Sequence, residues 1–418
     1  MTVQSPSTTT THSEIVSTSE DVSKIVRAAG DQRTSVCIVG GATSLDYGLL
    51  REIPGFRVVT TGLSRVLDYA ARDMTITVEA GLPFQTLTEV LLEQNQWLPL
   101  DVPHPERATL GGIVACDWSG AFESGYGTIR DMVIGISAID GRGIRFSAGG
   151  RVVKNVAGYD FCKLLTGSLG TLGIVTQLTL KVQPLPSTRL LCAVGIEHLD
   201  QAEMCLEQMV QTLQQPAVLE ILSGTRWTNR EWMPVEYRGA PHAIVIGLCG
   251  SLQDVEGQQR SISGHLDTVG LKSREIIGSL ESSALRDLAG GSAGADGEMV
   301  LMISVRPSKV VDVLKAFEND GVLASSSRPS IQVHAASGCL FAVYDTSPAD
   351  AGWLVHTVHP FVRQMNGWAH IVSGGPPDRT LASVWGPSPE AIRVMESVKR
   401  AFDPNGILNP GKFLYRSM

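Results

Sequence analysis

The sequence predicts an α+β fold with two domains, and three observations lead to this prediction. The chain has 418 residues, more than a single hydrophobic core normally supports. Apolar residues make up 43 % of it and charged residues 18 %, a balance typical of globular proteins with a large buried volume. Segments with the period of strands and segments with the period of helices follow one another along the chain, and Pro184 and Pro186 interrupt them.

The first domain is predicted to cover residues 17–184, after a polar, disordered tail at residues 1–16. Ser17 and Glu20 have the spacing of a capping box, which begins a helix, and Gly30 ends it. Pro83 opens a second helix because its fixed φ suits the first turn. Strands are predicted at residues 35–39, 75–80, 133–139, 144–146 and 176–182, and the third and fourth of these form a hairpin.

The second domain is predicted to cover residues 185–380 as a substrate or cap domain of α+β, ferredoxin-like type, with helices on one face of a sheet. The segment 381–418 follows it as a separate C-terminal segment. The Gly/Ser-rich stretch 290–297 is predicted to be a mobile loop. Strands are predicted at residues 190–196, 218–222, 244–249, 299–305, 331–334 and 339–344, the last two as a final hairpin, and helices at 199–213 and 310–317.

Charge and cysteine content exclude several classes of protein. The net charge is −8 and there is no basic run, which argues against a nucleic-acid partner. No apolar run is long enough to span a bilayer, and the polar first residues do not resemble a signal peptide, so we expect a cytoplasmic protein. The seven cysteines include no Cys-x-x-Cys pair, so we expect no disulfide framework, no metal site and no iron–sulfur cluster in this chain.

Clusters of glycine next to predicted strands are the main chemical signal. The first, residues 39–48, places Gly40, Gly41, Ala42, Thr43 and Ser44 directly after a strand, where backbone N–H groups can surround an anion such as a pyrophosphate. It has neither the Rossmann spacing nor the Lys of a P-loop. A tight turn without a ligand is the alternative explanation of this cluster.

Three further clusters follow within the same domain. Residues 108–116 carry small residues at a predicted helix start, 125–131 form a turn before a strand, and 167–176 place three glycines at intervals of three. Close packing of helix and strand would explain each of them singly. Together they indicate a large ligand held by backbone atoms, and the edge of a flavin offers matching acceptors and one donor.

The order of these clusters resembles the FAD-binding domain shared by vanillyl-alcohol oxidase and p-cresol methylhydroxylase. More specifically, it is similar to the FAD-binding subunit of bacterial glycolate oxidase (glycolate dehydrogenase). That closer resemblance also rests on Pro103-His104, residues 154–160 (Lys-Asn-Val-Ala-Gly-Tyr-Asp), residues 384–387 and residues 402–412.

The resemblance implies a p-cresol methylhydroxylase-type FAD domain of two subdomains, a cap domain and a C-terminal arm that returns to the FAD domain. It implies that residues 40–44 cradle the pyrophosphate and that the arm contributes two further residues. The implied cofactor-binding residues are Gly40, Gly41, Ala42, Thr43, Ser44, Thr109, Gly111, Gly112, Gly127, Arg130, Gly170, Gly173, Ile174, Asn409 and Lys412.

Two departures from the relatives refine these expectations. Many relatives attach FAD through a histidine in the first glycine loop, and residues 40–48 contain none, so we expect non-covalent FAD. The catalytic subunit of the same complex carries a His-rich Gly-Asp-Gly-Asn motif for substrate and metal, and the closest stretch here, residues 334–338, lacks its acidic and amide members. Independent oxidation of a 2-hydroxy acid by this chain is therefore not implied.

The sequence offers candidates but assigns no catalytic residue, although oxidation of a 2-hydroxy acid requires a carboxylate anchor and a base. Each candidate also has a purely structural explanation, such as a local ion pair or a turn. Candidate anchors are Arg130, Lys154 and Arg379, and candidate bases or donors are His104, Tyr159 and His334.

Three hypotheses follow from the sequence. The first is the FAD subunit of a glycolate dehydrogenase-type complex, which oxidises a small 2-hydroxy acid and works with a second FAD subunit and an iron–sulfur subunit, at the inner membrane face through those partners. The second is a self-sufficient FAD oxidoreductase for another hydroxy acid or a polyol. The third is a non-catalytic assembly subunit that retains the flavin fold.

Overall fold

The computed structural model describes residues 12–49, 55–150, 159–211, 215–291, 293–295, 297–318, 322–323, 328–346 and 351–413. In these ranges the strands of the N-terminal part form a three-stranded and a five-stranded sheet. The three-stranded sheet is parallel in the order β1-β3-β2, with β1 (His12–Ile15), β2 (Ser35–Val39) and β3 (Gly55–Val59). The predicted strand at residues 35–39 is thereby confirmed.

The first helix begins and ends later than predicted. Helix α1 covers Ser19–Gln32, and its capping box joins Thr18 to Asp21 instead of Ser17 to Glu20. Arg33, with φ 50°, ends the helix, so Gly30 lies inside it. Thr18 and not Ser17 is the N-cap, because the buried face of α1, which includes Val22, fixes the register of the helix.

The five-stranded sheet is antiparallel and confirms the predicted hairpin. Its order is β4-β5-β9-β7-β8, with β4 (Val66–Ala70), β5 (Thr75–Glu79), β7 (Val133–Ile139), β8 (Arg145–Gly149) and β9 (Ile174–Lys181). A short pair, β6 (Gln96–Trp97) with β10 (Gln183–Pro184), lies beside it. The helices of this part are α2 (Phe84–Leu92), α3 (Leu110–Cys116), α4 (Glu123–Tyr126), α5 (Ile129–Met132) and α6 (Phe161–Leu165).

The C-terminal part is built on one eight-stranded antiparallel sheet in the order β14-β11-β13-β12-β16-β17-β15-β18. The predicted final hairpin of β16 and β17 is confirmed, and one further strand, β18, which was not predicted, follows it and pairs with β15. The strands are β11 (Thr188–Ile196), β12 (Val218–Ser223), β13 (His242–Gly250), β14 (Ser273–Ile276), β15 (Met299–Ser304), β16 (Ser330–His334), β17 (Cys339–Tyr344) and β18 (Trp368–Ser373).

This large sheet consists of two ferredoxin-like βαββαβ units placed side by side. The first unit runs β11-α7-β12-β13-α9-β14 and the second runs β15-α11-β16-β17-α12-β18, and β12 pairs with β16 where the units meet. The sequence predicted one such arrangement and missed its repetition. The helices are α7 (Leu199–Gln211), α8 (Thr225–Thr228), α9 (Leu252–Thr268), α10 (Ser279–Gly291), α11 (Val310–Lys315), α12 (His359–Gln364), α13 (Leu381–Trp385) and α14 (Ile392–Phe402).

The chain returns to its N-terminal part after α14. Val36 of β2 donates its backbone N–H to Ile407 O at 2.8 Å, and Asn409 donates to Val36 O at 2.9 Å. A buried ion pair fixes the turn before this contact, because the ammonium of Lys399 lies 2.6 Å from the carboxylate of Asp403. The C-terminal segment thus pairs in parallel alongside the start of β2, the strand whose carboxyl end leads into the first glycine cluster.

Candidate functional site

A cleft of about 780 Å³ opens at the carboxyl end of β2, and three of the predicted glycine turns line it. We call it the glycine cleft. Twelve of the fifteen residues predicted to bind the cofactor lie in its wall. These are Gly40, Gly41, Ala42, Thr43, Ser44, Thr109, Gly111, Gly112, Gly170, Gly173, Asn409 and Lys412.

The first turn is packed so closely that only glycine fits at its start. A Cβ atom at Gly41 would lie 1.7 Å from the carbonyl oxygen of Arg107, and one at Gly40 would lie 2.2 Å from Oγ1 of Thr109. Ala42 follows with φ 58°. Among the described residues, the backbone N–H groups from Gly41 to Leu45 have no acceptor within the protein. They therefore form a nest of donors suited to the oxygens of a pyrophosphate.

The second turn contributes space more than hydrogen bonds. Thr109 caps α3, and its hydroxyl accepts from the N–H of Gly112 at 3.4 Å. Gly111 donates its N–H to Ala80 O at 2.6 Å, and a Cβ atom there would lie 2.9 Å from Cβ of Ala80. Since these amides already have partners, this turn lets a flat ligand approach its backbone without binding it through those donors.

The third turn is tied to the first by an amide from the end of the chain. Asn409 donates from Nδ2 to Leu169 O at 2.8 Å and accepts at Oδ1 from the N–H of Ile38 at 2.9 Å. Gly170 has φ 69°, and a Cβ atom there would lie 2.8 Å from Nδ2 of Asn409. Asn409 is thus a brace between β2 and the third turn, with both side-chain groups already bonded.

Lys412 supplies a cation to the wall of the glycine cleft. Its ammonium donates to the carbonyl oxygens of Leu45 and Tyr47. Burial lowers the pKa of Lys412, while Cys116 and Asp46 act in the opposite direction. A dianionic pyrophosphate would favour the charged form of Lys412, because an opposite charge nearby raises the pKa of an ammonium group. Lys412 is therefore suited to binding an anionic ligand.

Three predicted binding residues do not line the glycine cleft. Gly127 lies against the carboxylate of Asp131, within the turn that begins α5. The exposed Arg130 points its Nε to Lys163 O at 3.5 Å. Ile174 is only 1 % exposed and packs in the core around α1. Their predicted contacts with a cofactor stay predictions.

A wider recess of about 1100 Å³ continues the glycine cleft past its first turn. It shares Gly40, Gly41, Ala42 and Thr109 with the cleft and adds Arg107, whose guanidinium donates to Gly41 O at 3.2 Å. The two spaces meet at the nest of the first turn. This geometry suits a dinucleotide with one half on each side of the nest.

A second cavity, of about 1020 Å³, adjoins the glycine cleft, and Cys116 lines both. We call it the aromatic cavity, because five of its wall residues are Tyr47, Trp118, Phe341, Trp385 and Phe413. It lies where the large sheet faces the N-terminal part. The remaining lining residues are Cys116, Asp117, Ser119, Gly120, Glu123, Thr128, Gly167, Met302, His334, Ser337, Cys339 and His370.

His334 is the predicted candidate that the structure places in this cavity. Its Nδ1 lies 2.7 Å from Oε1 of Glu220, and both side chains are buried. Burial alone would lower the pKa of His334, but the Glu220 carboxylate outweighs it and raises the pKa to about 9. The imidazole is therefore protonated at neutral pH, and its Nε2 is the remaining donor.

A second polar pair, Tyr47 with His370, lies in the same wall. The hydroxyl of Tyr47 is 2.8 Å from Nε2 of His370, and the ring of His370 stacks on Trp385 with centroids 5.0 Å apart. Burial lowers the pKa of His370 to about 4 and raises that of Tyr47, so both groups are neutral at pH 7.

The other catalytic candidates lie elsewhere. His104, with φ 53°, is about half exposed beside Glu106, and Tyr159 is 88 % exposed. Arg379 donates to Gly374 O, and Arg130 is exposed. Lys154, with most of the segment 154–160, lies outside the described residues.

Sequence analysis missed most of the aromatic cavity. Tyr47 lies inside the first glycine cluster, but no role was predicted for it. His370 lies on β18, a strand that was not predicted. Glu220 did leave a signal, since it is a lone carboxylate in an otherwise apolar strand, β12. A buried acid of this kind needs a partner, and His334 supplies it.

Comparison with known proteins identifies the cofactor. Residues 14–149 match the family described as FAD binding domain, and residues 386–413 match the C-terminal domain of the FAD linked oxidases. The chain is an FAD-dependent oxidoreductase. The matched segments contain the first two turns of the glycine cleft, Asn409 and Lys412.

Individual relatives agree with this assignment, and a solved structure shares the fold. The flavoprotein is 26 % identical over 415 residues to the mitochondrial D-lactate dehydrogenase [cytochrome] of Arabidopsis thaliana, covering 94 % of this chain and 72 % of that protein. It is 36 % identical over 166 residues to glycolate oxidase subunit GlcE of Escherichia coli, covering 40 % of this chain and 47 % of that one. The crystal structure of p-cresol methylhydroxylase superposes with a TM-score of 0.71 at 15 % identity, covering 96 % of this chain and 88 % of that one, which shows the predicted fold.

No helix in the described ranges is long and apolar enough to cross a bilayer. No group of three or more His, Cys, Asp or Glu side chains in the part of the chain that the structure describes could hold a metal ion.

Proposed function

We propose that this flavoprotein is the FAD-carrying subunit of a glycolate dehydrogenase-type complex that oxidises a small 2-hydroxy acid. The observation that carries the proposal is the glycine cleft, where three turns and the C-terminal segment surround a space suited to one FAD. The match to a subunit of glycolate oxidase, GlcE, supports the assignment to a complex.

The nest of amides from Gly41 to Leu45, for which the described residues offer no acceptor, would hold the pyrophosphate, with the ammonium of Lys412 beside it. Bound FAD supplies the acceptor for a hydride from the carbon that carries the hydroxyl group. Burial raises the pKa of the Cys116 thiol to about 11, so the thiol in the wall of the cleft is protonated and a poor nucleophile. Together with the lack of histidine in residues 40–48, this supports non-covalent binding.

The residues that line the aromatic cavity indicate that a second flavoprotein is needed to bind the acid. Oxidation of a 2-hydroxy acid requires a cation that holds the substrate carboxylate. None of the described residues that line the cavity is Lys or Arg, and its imidazolium, His334, is already paired with Glu220. We therefore place the binding of the acid on a partner subunit and the onward electron transfer on an iron–sulfur subunit.

The test compares the isolated chain with the complex isolated from its native cells through a tag on this chain. We expect flavin that is released by denaturation in both samples, and iron, sulfide and a second flavin only in the complex. Glycolate or D-lactate should bleach the flavin absorbance of the complex and not that of the isolated chain. Full turnover of glycolate by the isolated chain, or a tagged chain that elutes without partners, would contradict the proposal.

A self-sufficient oxidoreductase for another hydroxy acid or a polyol is the second candidate. It is favoured by one observation, namely that the Tyr47–His370 pair lies in a cavity that shares Cys116 with the glycine cleft. Bleaching of the isolated, FAD-loaded chain by a panel of hydroxy acids and polyols would support this candidate over the first.

A further inference from the structure

A serine, a histidine and a glutamate lie side by side on the large sheet, and none of them lines the glycine cleft or the aromatic cavity. Oγ of Ser223 lies 2.9 Å from Nδ1 of His242. Nε2 of the same ring lies 3.5 Å from Oε1 of Glu318. A hydroxyl, an imidazole and a carboxylate therefore follow one another in the order of a catalytic triad.

The register of the strands holds the serine and the histidine together. Ser223 of β12 pairs directly with His242 of β13. Ile196 of β11 pairs with the histidine on one side, and Ile331 of β16 pairs with the serine on the other. Side chains of directly paired residues point to the same face of a sheet, and both isoleucines are buried. The hydroxyl and the imidazole are thus kept in contact between two apolar neighbours.

The serine lies at the rim of the sheet, where a small molecule can reach it. Ser223 is the last residue of β12, and Gly224, with φ 98°, turns the chain directly into α8. A sharp turn from a strand to a helix leaves a serine nucleophile uncovered by its own strand. Ser223 is half-buried, whereas the next residue but one, Thr225, and the carboxylate of Glu318 are exposed. The space beside the two isoleucines suits a short acyl group.

The protonation state of the histidine suits a general base. Burial lowers the pKa of His242, and His198 acts in the same direction, whereas Glu318 and Glu197 act in the opposite one. The imidazole is therefore neutral at pH 7 and can accept a proton. When Nδ1 accepts from the hydroxyl of Ser223, the ring proton is on Nε2, which faces Glu318.

We propose that Ser223, His242 and Glu318 form an acyl-transfer site that hydrolyses short, activated esters. Nδ1 takes the hydroxyl proton while Oγ bonds to the carbonyl carbon; the bond from that carbon to the alkoxy oxygen then breaks, and the alcohol leaves with the proton from Nδ1. Water attacks the acyl-serine and gives a proton to Nδ1, the acid leaves, and Oγ recovers its proton. Glu318 is a positioning residue that holds the ring proton on Nε2. The reaction needs no FAD, so it stands or falls independently of the proposed function.

The test mixes the full, FAD-loaded chain with p-nitrophenyl acetate and follows both p-nitrophenolate release and the site of acetylation by peptide mass spectrometry. We expect the acetyl group on Ser223. The rate above that in buffer should fall by about 10²-fold or more in Ser223→Ala and in His242→Gln, because each removes the nucleophile or its base. The matched control is Ser263→Ala, since Ser263 is a half-buried serine of α9 whose hydroxyl pairs with Ser273 and not with a histidine. This variant should keep the full rate.

A pH profile of the same reaction tests the role of Glu318. The rate should rise with pH to a plateau, with a midpoint below pH 6.5, because the pKa of His242 is lowered and only the neutral imidazole accepts the proton. Glu318→Gln removes a charge that raises this pKa, so its midpoint should lie lower still, whereas a purely structural role would leave it unchanged. Acetylation mapped to a residue other than Ser223, an undiminished rate in Ser223→Ala, or equal midpoints in Glu318→Gln and the wild type would each overturn the proposal.

Discussion

Replacement of Gly41 by alanine offers the sharpest test of the cofactor site. The added Cβ would lie 1.7 Å from Arg107 O, whereas a carbon–oxygen contact needs about 3.3 Å. The first turn must therefore move by roughly 1.6 Å, which takes its amides out of hydrogen-bonding distance of a pyrophosphate. Overpacking of this kind costs on the order of 1–3 kcal/mol in folding free energy.

The loss in cofactor affinity should be larger than the loss in stability. Each hydrogen bond to a charged group contributes about 1.5–3 kcal/mol, so loss of two of them weakens FAD binding by about 3–6 kcal/mol, or roughly 10²- to 10⁴-fold in Kd. The assay is the ratio of flavin to protein absorbance after purification, followed by calorimetric titration of the apoprotein with FAD.

A matched control separates this effect from a general effect of alanine. Gly264 lies inside α9, and a Cβ atom there meets no atom within 4 Å. Gly264→Ala should therefore raise the stability by up to about 1 kcal/mol and leave FAD binding unchanged. If Gly41→Ala purified with a full complement of flavin, the assignment of residues 41–45 to the pyrophosphate would be wrong.

Three further predictions concern the groups that hold the two sites. Asp403→Asn should lower the free energy of unfolding by about 3–5 kcal/mol, because it leaves the buried ammonium of Lys399 without its counterion; a loss below about 1 kcal/mol in urea titrations would contradict this. The pKa of His334 is raised in the folded state, so the protonated imidazole contributes to the free energy of unfolding. This contribution is complete below pH 6.5 and is lost as the pH rises through about 9. The free energy of unfolding, measured at about pH 6 and about pH 10, should show this loss in the wild type and not in Glu220→Gln. Asn409→Ala removes two side-chain hydrogen bonds and should reduce both the melting temperature and the flavin content, and equal flavin content in variant and wild type would rule out its role as a brace.

The sequence was most informative where the determinants of structure are local. The backbone of the first turn passes so close to Arg107 that glycine is required there, since even a methyl group at Gly41 would overlap Arg107 O. Such a requirement leaves a cluster of small residues next to a strand, which composition and spacing reveal. The helix start at Thr109 was predictable for a similar reason, because the cap and the small residues after it are neighbours in the chain.

The aromatic cavity could not be predicted because its residues meet only through the fold. Tyr47 and His370 are 323 positions apart, and His334 and Glu220 are 114 apart. Each is unremarkable in its own segment, and the strand order that joins them depends on two βαββαβ units lying side by side. Long-range pairing of this kind leaves no periodic signal, although the lone acid at Glu220 does mark the place where a partner is needed.

The last residues of the described chain link the two sites physically. Lys399 donates to Thr171 O in the third turn, Asn409 binds Leu169 O and Ile38 N, and Lys412 binds Leu45 O in the first turn. The carbonyl of Lys412 in turn accepts from Trp385, whose ring forms the wall of the aromatic cavity. One short segment therefore positions two turns of the glycine cleft and one wall of the neighbouring cavity, so any shift of this segment changes both. The geometry at the cofactor and the shape of the aromatic cavity are thus determined by the same hydrogen bonds.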